Sequence, residues 1–122
     1  MTATVLIVED EPQIQELVAV NLEHSGHKVL RAASAEEAEI ILGQEMVDVL
    51  FTDIDLGGRD GCDLAQRALR AQPELSLILA SGRARRCHED RIPAGAAFLA
   101  KPYRLPQMIR EVHRAAHGWV IP

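Results

Sequence analysis

The 122 residues suit a single domain, long enough to bury about two thirds of the unfolded chain's surface, so no disulfide or metal staple is required. Hydrophobic residues make up 48% and aromatics only 3%, so the core has to be built from Val, Leu, Ile and Ala. The net charge of −5 argues against direct nucleic-acid binding, and no apolar run approaches the ~20 residues of a membrane span. Cys62 and Cys87 lack metal-ligand spacing and read as free thiols of a reducing compartment. The start of the chain runs without a charged leader into its first apolar segment, so the expected location is the cytoplasm.

Thr4 to Val8 is a continuous aliphatic run and reads as a central parallel strand, buried on both faces. It stops at Glu9-Asp10-Glu11. Pro12 then suits a first helical turn, and Ile14, Leu17, Val18 and Leu22 follow as the inward face, with Asp10 as a candidate cap. His24-Ser25-Gly26-His27 breaks that helix, and both histidines read as exposed. Lys28 to Ala32 reads as a short edge strand. Ser34 and Glu37 form a capping box for a second helix that turns Ala35, Ala38, Ile41 and Leu42 inward and ends at Gly43.

Val49 to Asp53 reads as a buried third strand that delivers a carboxylate to its tip. Asp55 follows, and Gly57-Gly58 force a turn. Asp60-Gly61 leads into a helix with Leu64, Ala65, Ala68 and Leu69 inward, closed before Pro73. Leu75 to Ala80 is the fourth strand, ending at Ser81-Gly82. From Arg83 to Pro93 the pattern is poor, and a short or irregular fourth helix is expected. Ala96 to Ala100 is the fifth strand, ending at Lys101-Pro102. Pro106 opens the last helix, with Ile109, Val112 and Ala116 inward. The tail from Gly118 to Pro122 is too short for another element, and Trp119 either folds back or supports self-association.

Strict β-α alternation implies an α/β fold: a doubly wound, five-stranded parallel sheet of the flavodoxin-like (βα)5 kind, strand order 2-1-3-4-5, with helices on both faces and right-handed crossovers. All strand tips then share one edge, where ligands of such sheets bind. That edge receives Glu9 and Asp10, Asp53, Ser81 and Lys101. Clustered acids repel unless a hard divalent cation relieves them, and Mg2+ prefers such oxygens. Lys101 adds a point charge for a phosphate oxygen and Ser81 a neutral donor, while a carboxylate is able to act as the nucleophile. This is equipment for phosphoryl transfer.

Val8 to Pro12, Asp48 to Gly61, Leu79 to Gly82 and Ala97 to Tyr103 together resemble the receiver domain of two-component response regulators, over nearly the whole of 1–122. The intervals of 43 residues from Asp10 to Asp53 and 28 from Asp53 to Ser81 are similar to that family's. The resemblance implies that Asp53 accepts a phosphoryl group from a sensor histidine kinase or a histidine phosphotransfer protein. It implies Mg2+ held by Asp10, by Asp53, by Glu9 through water and by the Asp55 backbone carbonyl. Ser81 and Phe98 stand at the positions of the family's hydroxyl and aromatic switch residues, although Phe98 also reads as core. Lys101 would pair with the phosphoryl group, across a cis Lys101-Pro102 bond. Asp55 and Arg83 stand where the lifetime of the acyl phosphate is tuned, and their opposite charges suggest an ion pair over the site.

Three departures qualify the resemblance. Glu9 replaces the commoner Asp, Gly57 replaces a loop Pro and should soften that loop, and Lys101 follows Ser81 after only 20 residues. Leu56-Gly57-Gly58 and Leu79-Ala80-Ser81-Gly82 look like a single-domain subgroup with a degenerate fourth helix, and the chain stops after its last helix. The expected protein is thus a stand-alone relay, with a downstream protein target, as a monomer or a phosphorylation-dependent dimer. It is not an enzyme beyond its own phosphorylation and dephosphorylation.

Two other functions compete. A phosphorylation-independent docking receiver would lack a key residue, whereas Asp10, Asp53 and Lys101 are all present. Asp53-Ile54-Asp55 also resembles the Asp-x-Asp of haloacid-dehalogenase-type phosphatases, but it lies on the third strand and no late acid pair follows Lys101. His113 and His117 have helical metal-ligand spacing without an acid or cysteine partner and read as a solvated face, Cys62 and Cys87 as inert, and Arg83 to Arg86 as a solvated loop or a dock for an acidic partner.

Overall fold

Five strands, β1 (Thr4–Val8), β2 (Lys28–Ala32), β3 (Val49–Asp53), β6 (Ser76–Ser81) and β7 (Ala97–Ala100), form one parallel sheet in the order β2-β1-β3-β6-β7. In chain order these are the five expected strands, and the order is the flavodoxin-like 2-1-3-4-5. The computed structural model describes residues 3–117, so Trp119 and its tail lie outside the described residues. The helices are α1 (Pro12–His24), α2 (Ala35–Leu42), α3 (Gly61–Ala71) and α4 (Leu105–Ala116). The expected fourth helix is reduced to one 3-10 turn, Arg85–Cys87, because the segment offers no apolar stripe to bury.

The sheet separates two cores, as strand alternation requires. Leu6, Val8, Leu50, Leu77 and Leu79 face α2 and α3, which contribute Ala38, Leu42, Leu64, Ala65 and Ala68. Val5, Ile7, Val49, Phe51 and Ile78 face α1 and α4, which contribute Val18, Ala19, Leu22, Met108 and Val112. Burying one Val, Leu or Ile contributes roughly 1.5–3 kcal/mol, and this two-sided packing fixes the strands whose tips carry the polar residues.

Local chemistry sets the element ends. The Ser34 Oγ accepts from Glu37 N at 3.2 Å, and the Glu37 carboxylate reaches back to Ala33 N at 2.7 Å rather than to Ser34 itself. Asp60 caps α3 through Cys62 N at 2.7 Å. Buried Gln72, just past α3, binds Val47 N at 2.9 Å and the carbonyls of Leu42 and Glu45 at 3.0 and 2.8 Å. That side chain satisfies the backbone of the loop entering β3.

Three expectations are corrected. Asp10 does not cap α1: the residue before Pro12 has to be extended, so Glu11 takes the N-cap place without a side-chain bond and Asp10 turns away. Leu17 is 52% exposed, and Ala19 occupies the core instead. His27 is buried, with Nε2 3.2 Å from His113 Nδ1, so His113 leans on a neighbour rather than standing on a solvated face. Ile109 packs against the core as expected, and Met108 beside it, which the spacing did not mark, is fully buried.

Candidate functional site

β1, β3 and β6 are pinned in register at their C-terminal ends: Val8 lies opposite Thr52, and Asp53 opposite Ala80. Strand β3 is buried throughout, so its last residue, Asp53, reaches the rim with its carboxylate largely enclosed. Glu9 follows β1 directly, and the Gln15 side chain donates to the Glu9 and Ala32 carbonyls at 3.1 and 3.0 Å, holding that turn. Lys101 follows β7, its backbone N bound to the Ser81 carbonyl at 2.8 Å, and the Lys101-Pro102 bond is cis, as the resemblance implied.

Carboxylate oxygens of Glu9, Asp10 and Asp53 all lie within 4.8 Å of one another. Lys101 Nζ donates to Asp53 Oδ2 at 2.8 Å and lies 3.9 Å from Glu9 Oε1. Burial pushes the Glu9 carboxyl above its ordinary value; the Glu11 N–H and Lys101 oppose this, and the Asp53 charge adds to it. Burial works against the Lys101 charge, but the Asp53 hydrogen bond and the Asp53 and Glu9 charges outweigh it and raise the ammonium's pKa. Three acids against one ammonium leave an uncompensated negative centre. Two ionised carboxylates 4.8 Å apart repel by about 3 kcal/mol at an effective dielectric of about 20. Oxygen donors only, close together and short of positive charge, fit a small hard divalent cation.

Asp55 stands apart from this trio. It begins a two-stranded ribbon of β4 (Asp55–Leu56) and β5 (Arg59–Asp60), closed by Gly57 and Gly58 at φ +46° and +103°. Positive φ at both central residues matches a two-residue hairpin loop, and only Gly takes it without strain. The sequence announced the turn but not the ribbon. The loop brings the Gly57 backbone against Asp10, whose Oδ2 is 3.5 Å from where a Cβ would stand. The Asp55 carboxylate meets Arg83 Nη2 at 3.3 Å, the ion pair expected from the charges. Arg85 and Arg86 are exposed, Cys87 is exposed and free, and Cys62 is buried with its thiol pKa raised by burial and by Asp55.

Ser81 is fully buried at the tip of β6. Its Oγ accepts from Arg83 N at 3.0 Å and lies 3.0 Å from His88 Nε2. Phe98, half-buried, has its ring centroid 6.4 Å from that of His88. His88 escaped the sequence reading because it sits in the segment without periodicity, where nothing marks one polar residue as buried. The three residues before it, Arg85, Arg86 and Cys87, are all exposed.

The chain is thus an α/β domain with a flavodoxin-like parallel sheet that carries an acid trio and a lysine on the rim at its strand tips. The chain belongs to the response regulator receiver domain family of two-component systems, which it matches over residues 5–113. It is 40% identical to the transcriptional regulatory protein AruR of Pseudomonas aeruginosa over 68% of this chain and 36% of AruR. It is 28% identical to the response regulator receiver protein CpdR of Brucella abortus over 90% of this chain and 93% of CpdR. The chain thus spans about a third of one curated relative and nearly all of another. The crystal structure of the response regulator TrrA of Thermotoga maritima, in complex with Mg2+–BeF, superposes with a TM-score of 0.83 at 22% identity, covering 93% of this chain and 98% of that one. Receiver domains are regulatory rather than enzymes in the ordinary sense. Among the described residues no helix is long and apolar enough to cross a membrane.

Proposed function

We propose that Asp53 is the phosphoacceptor of a Mg2+-dependent phosphorelay, taking its phosphoryl group from a histidine kinase or histidine phosphotransfer protein. The observation that carries this reading is the 2.8 Å bond from Lys101 Nζ to Asp53 Oδ2 inside the three-acid cluster. An Asp53 oxygen forms the new bond to phosphorus while the N–P bond of the donor's phosphohistidine breaks, and the electron pair stays on the imidazole nitrogen. Lys101 then follows its partner, exchanging the carboxylate for a phosphoryl oxygen. Glu9, Asp10, Asp53 and the Asp55 carbonyl are the groups to hold Mg2+, which would supply the positive charge that the transferred oxygens need. The complex of TrrA with Mg2+–BeF supports that cofactor. Ser81 and Phe98 act as the switch that a downstream protein reads, in the cytoplasm.

The Asp-x-Asp here ends the third strand rather than the first, and no acid pair follows Lys101, which favours a stoichiometric acceptor over a phosphatase. Intact mass after incubation with acetyl phosphate and Mg2+ tests the reading. One phosphoryl increment is expected, absent with chelator and absent in Asp53→Asn. No increment in the wild-type protein would sink it and leave a docking module.

A further inference from the structure

A buried histidine stands behind the site, where a fourth helix would otherwise run. His88 is 1% exposed, and both of its ring nitrogens are engaged: Nε2 with Ser81 Oγ at 3.0 Å, Nδ1 with Arg91 Nη2 at 2.9 Å. A guanidinium can only donate, so Nδ1 accepts and the ring hydrogen sits on Nε2. Nε2–H therefore donates to Ser81 Oγ. The same oxygen accepts from Arg83 N at 3.0 Å. With both lone pairs occupied, the hydroxyl hydrogen is the group Ser81 has left to give.

Arg91 is in turn held by Asp60, which also caps α3. The backbone closes around the ring, with Arg91 N and Ile92 N donating to the His88 carbonyl at 2.8 and 3.1 Å. On its other side the imidazole packs against Phe98 at a centroid distance of 6.4 Å and an interplanar angle of 38°, within the range of an attractive aromatic pair. One ring thus touches both residues of the switch. A filler of that space would be apolar; a buried imidazole is tolerated only with its polar atoms satisfied. Asp60, Arg91 and Ser81 supply that satisfaction as one chain of bonds.

We propose that His88 is a positioning residue of the switch: its Nε2–H orients the Ser81 hydroxyl toward the phosphosite, and its ring transmits displacement of Ser81 to Phe98. The proposal rests on Asp53 being the acceptor. When a phosphoryl group on Asp53 draws Ser81 inward, the Ser81–His88 bond lengthens or breaks, and the imidazole and the Phe98 ring resettle together.

The chain holds two phenylalanines, so fluorophenylalanine labelling gives two 19F signals, assigned through Phe51→Leu. Beryllofluoride with Mg2+ serves as the stable stand-in for the phosphoryl group. In the wild-type protein the Phe98 signal and the His88 ring 15N signals are expected to shift on addition, with Nδ1 unprotonated beforehand. In His88→Leu the Phe98 shift is expected to be lost. His88→Gln, whose amide both donates and accepts but carries no ring, is expected to restore part of it through the Ser81 hydrogen bond, which a merely structural role does not predict. A Phe98 shift undiminished in His88→Leu overturns the proposal. If His88→Leu fails to fold, unmoved His88 ring signals in the responding wild-type protein overturn it equally. Absence of any response at Asp53 itself, and of an acetyl phosphate mass increment, removes the acceptor reading as well.

Discussion

Residues at the rim divide by exposure, and exposure decides what each one is worth. Asp55 and Arg83 make their 3.3 Å pair with side chains 55% and 59% exposed, so the contact adds only about 0.2–1 kcal/mol to stability. Its proposed value is as a gate on the loop beside Asp53, whose Oδ1 accepts from Asp55 N at 3.4 Å. Asp55→Ala and Arg83→Ala should each leave the urea midpoint nearly unchanged yet speed hydrolysis of the acyl phosphate about fivefold, the rate equivalent of about 1 kcal/mol. Unaltered hydrolysis in both variants would remove the pair from the lifetime argument. These two residues, with Asp10, Asp53 and Lys101, were legible in the sequence because each sits at a fixed offset from a strand end. His88 and Gln72 were not. Their burial depends on partners 3 to 30 residues away, and no local pattern encodes such a meeting.

At the scale of elements, the start of α3 is the tightest joint. A Cβ on Gly61 would stand 2.2 Å from the Asp53 carbonyl oxygen and 2.8 Å from Ile54 Cα, both backbone atoms unable to yield without moving Asp53. Gly61→Ala should cost at least about 1–3 kcal/mol in urea denaturation, whereas Gly82→Ala, with nothing within 4 Å, should stay within about 0.5 kcal/mol. A second joint ties the start of β2 to α4. Burial, then the nearby His113 and His117, lowers the His27 pKa below 6.5, and among the described residues Nδ1 has no partner to receive a charged N–H. The unfolded chain then binds more protons, so this contribution is fully present above pH 6.5 and is lost as pH falls through the depressed folded value. Between pH 7.5 and 5.5, His27→Gln should show a smaller drop in urea midpoint than the wild-type protein. An equal drop would assign the effect elsewhere. Alternation of strands and helices was readable from apolar period alone. The inward face of α1 was misjudged at Leu17 because a four-position apolar set fits two adjacent helix faces, and only the sheet chooses between them.

Taken whole, the molecule is a rigid two-core sheet presenting an excess of negative charge at one end. Topology was readable because a parallel sheet leaves few ways to connect β-α units. The acid trio leaves the metal-free fold carrying unrelieved repulsion, and that repulsion is a measurable quantity. Mg2+ at a hundredfold excess over its dissociation constant should stabilise the protein by about 2.7 kcal/mol, seen as a rise in Tm reversed by chelator. Asp10→Asn should raise the metal-free Tm and abolish the Mg2+ increment. A Tm indifferent to Mg2+ would mean that the trio holds no cation.

The connection from β6 to β7 carries one 3-10 turn where a helix would give a lever. A lever reports a change by its angle, which any surface nearby is able to read. A strap tied down at a few points, through His88, through Arg91 to Asp60 and through Gln66 to the Arg91 carbonyl, reports by how many of its knots are fastened. Should phosphorylation at Asp53 unfasten the knot at Ser81, as the proposal for His88 requires, a partner would meet a loosened strap rather than a re-angled helix, and its affinity rather than its grip would register the change.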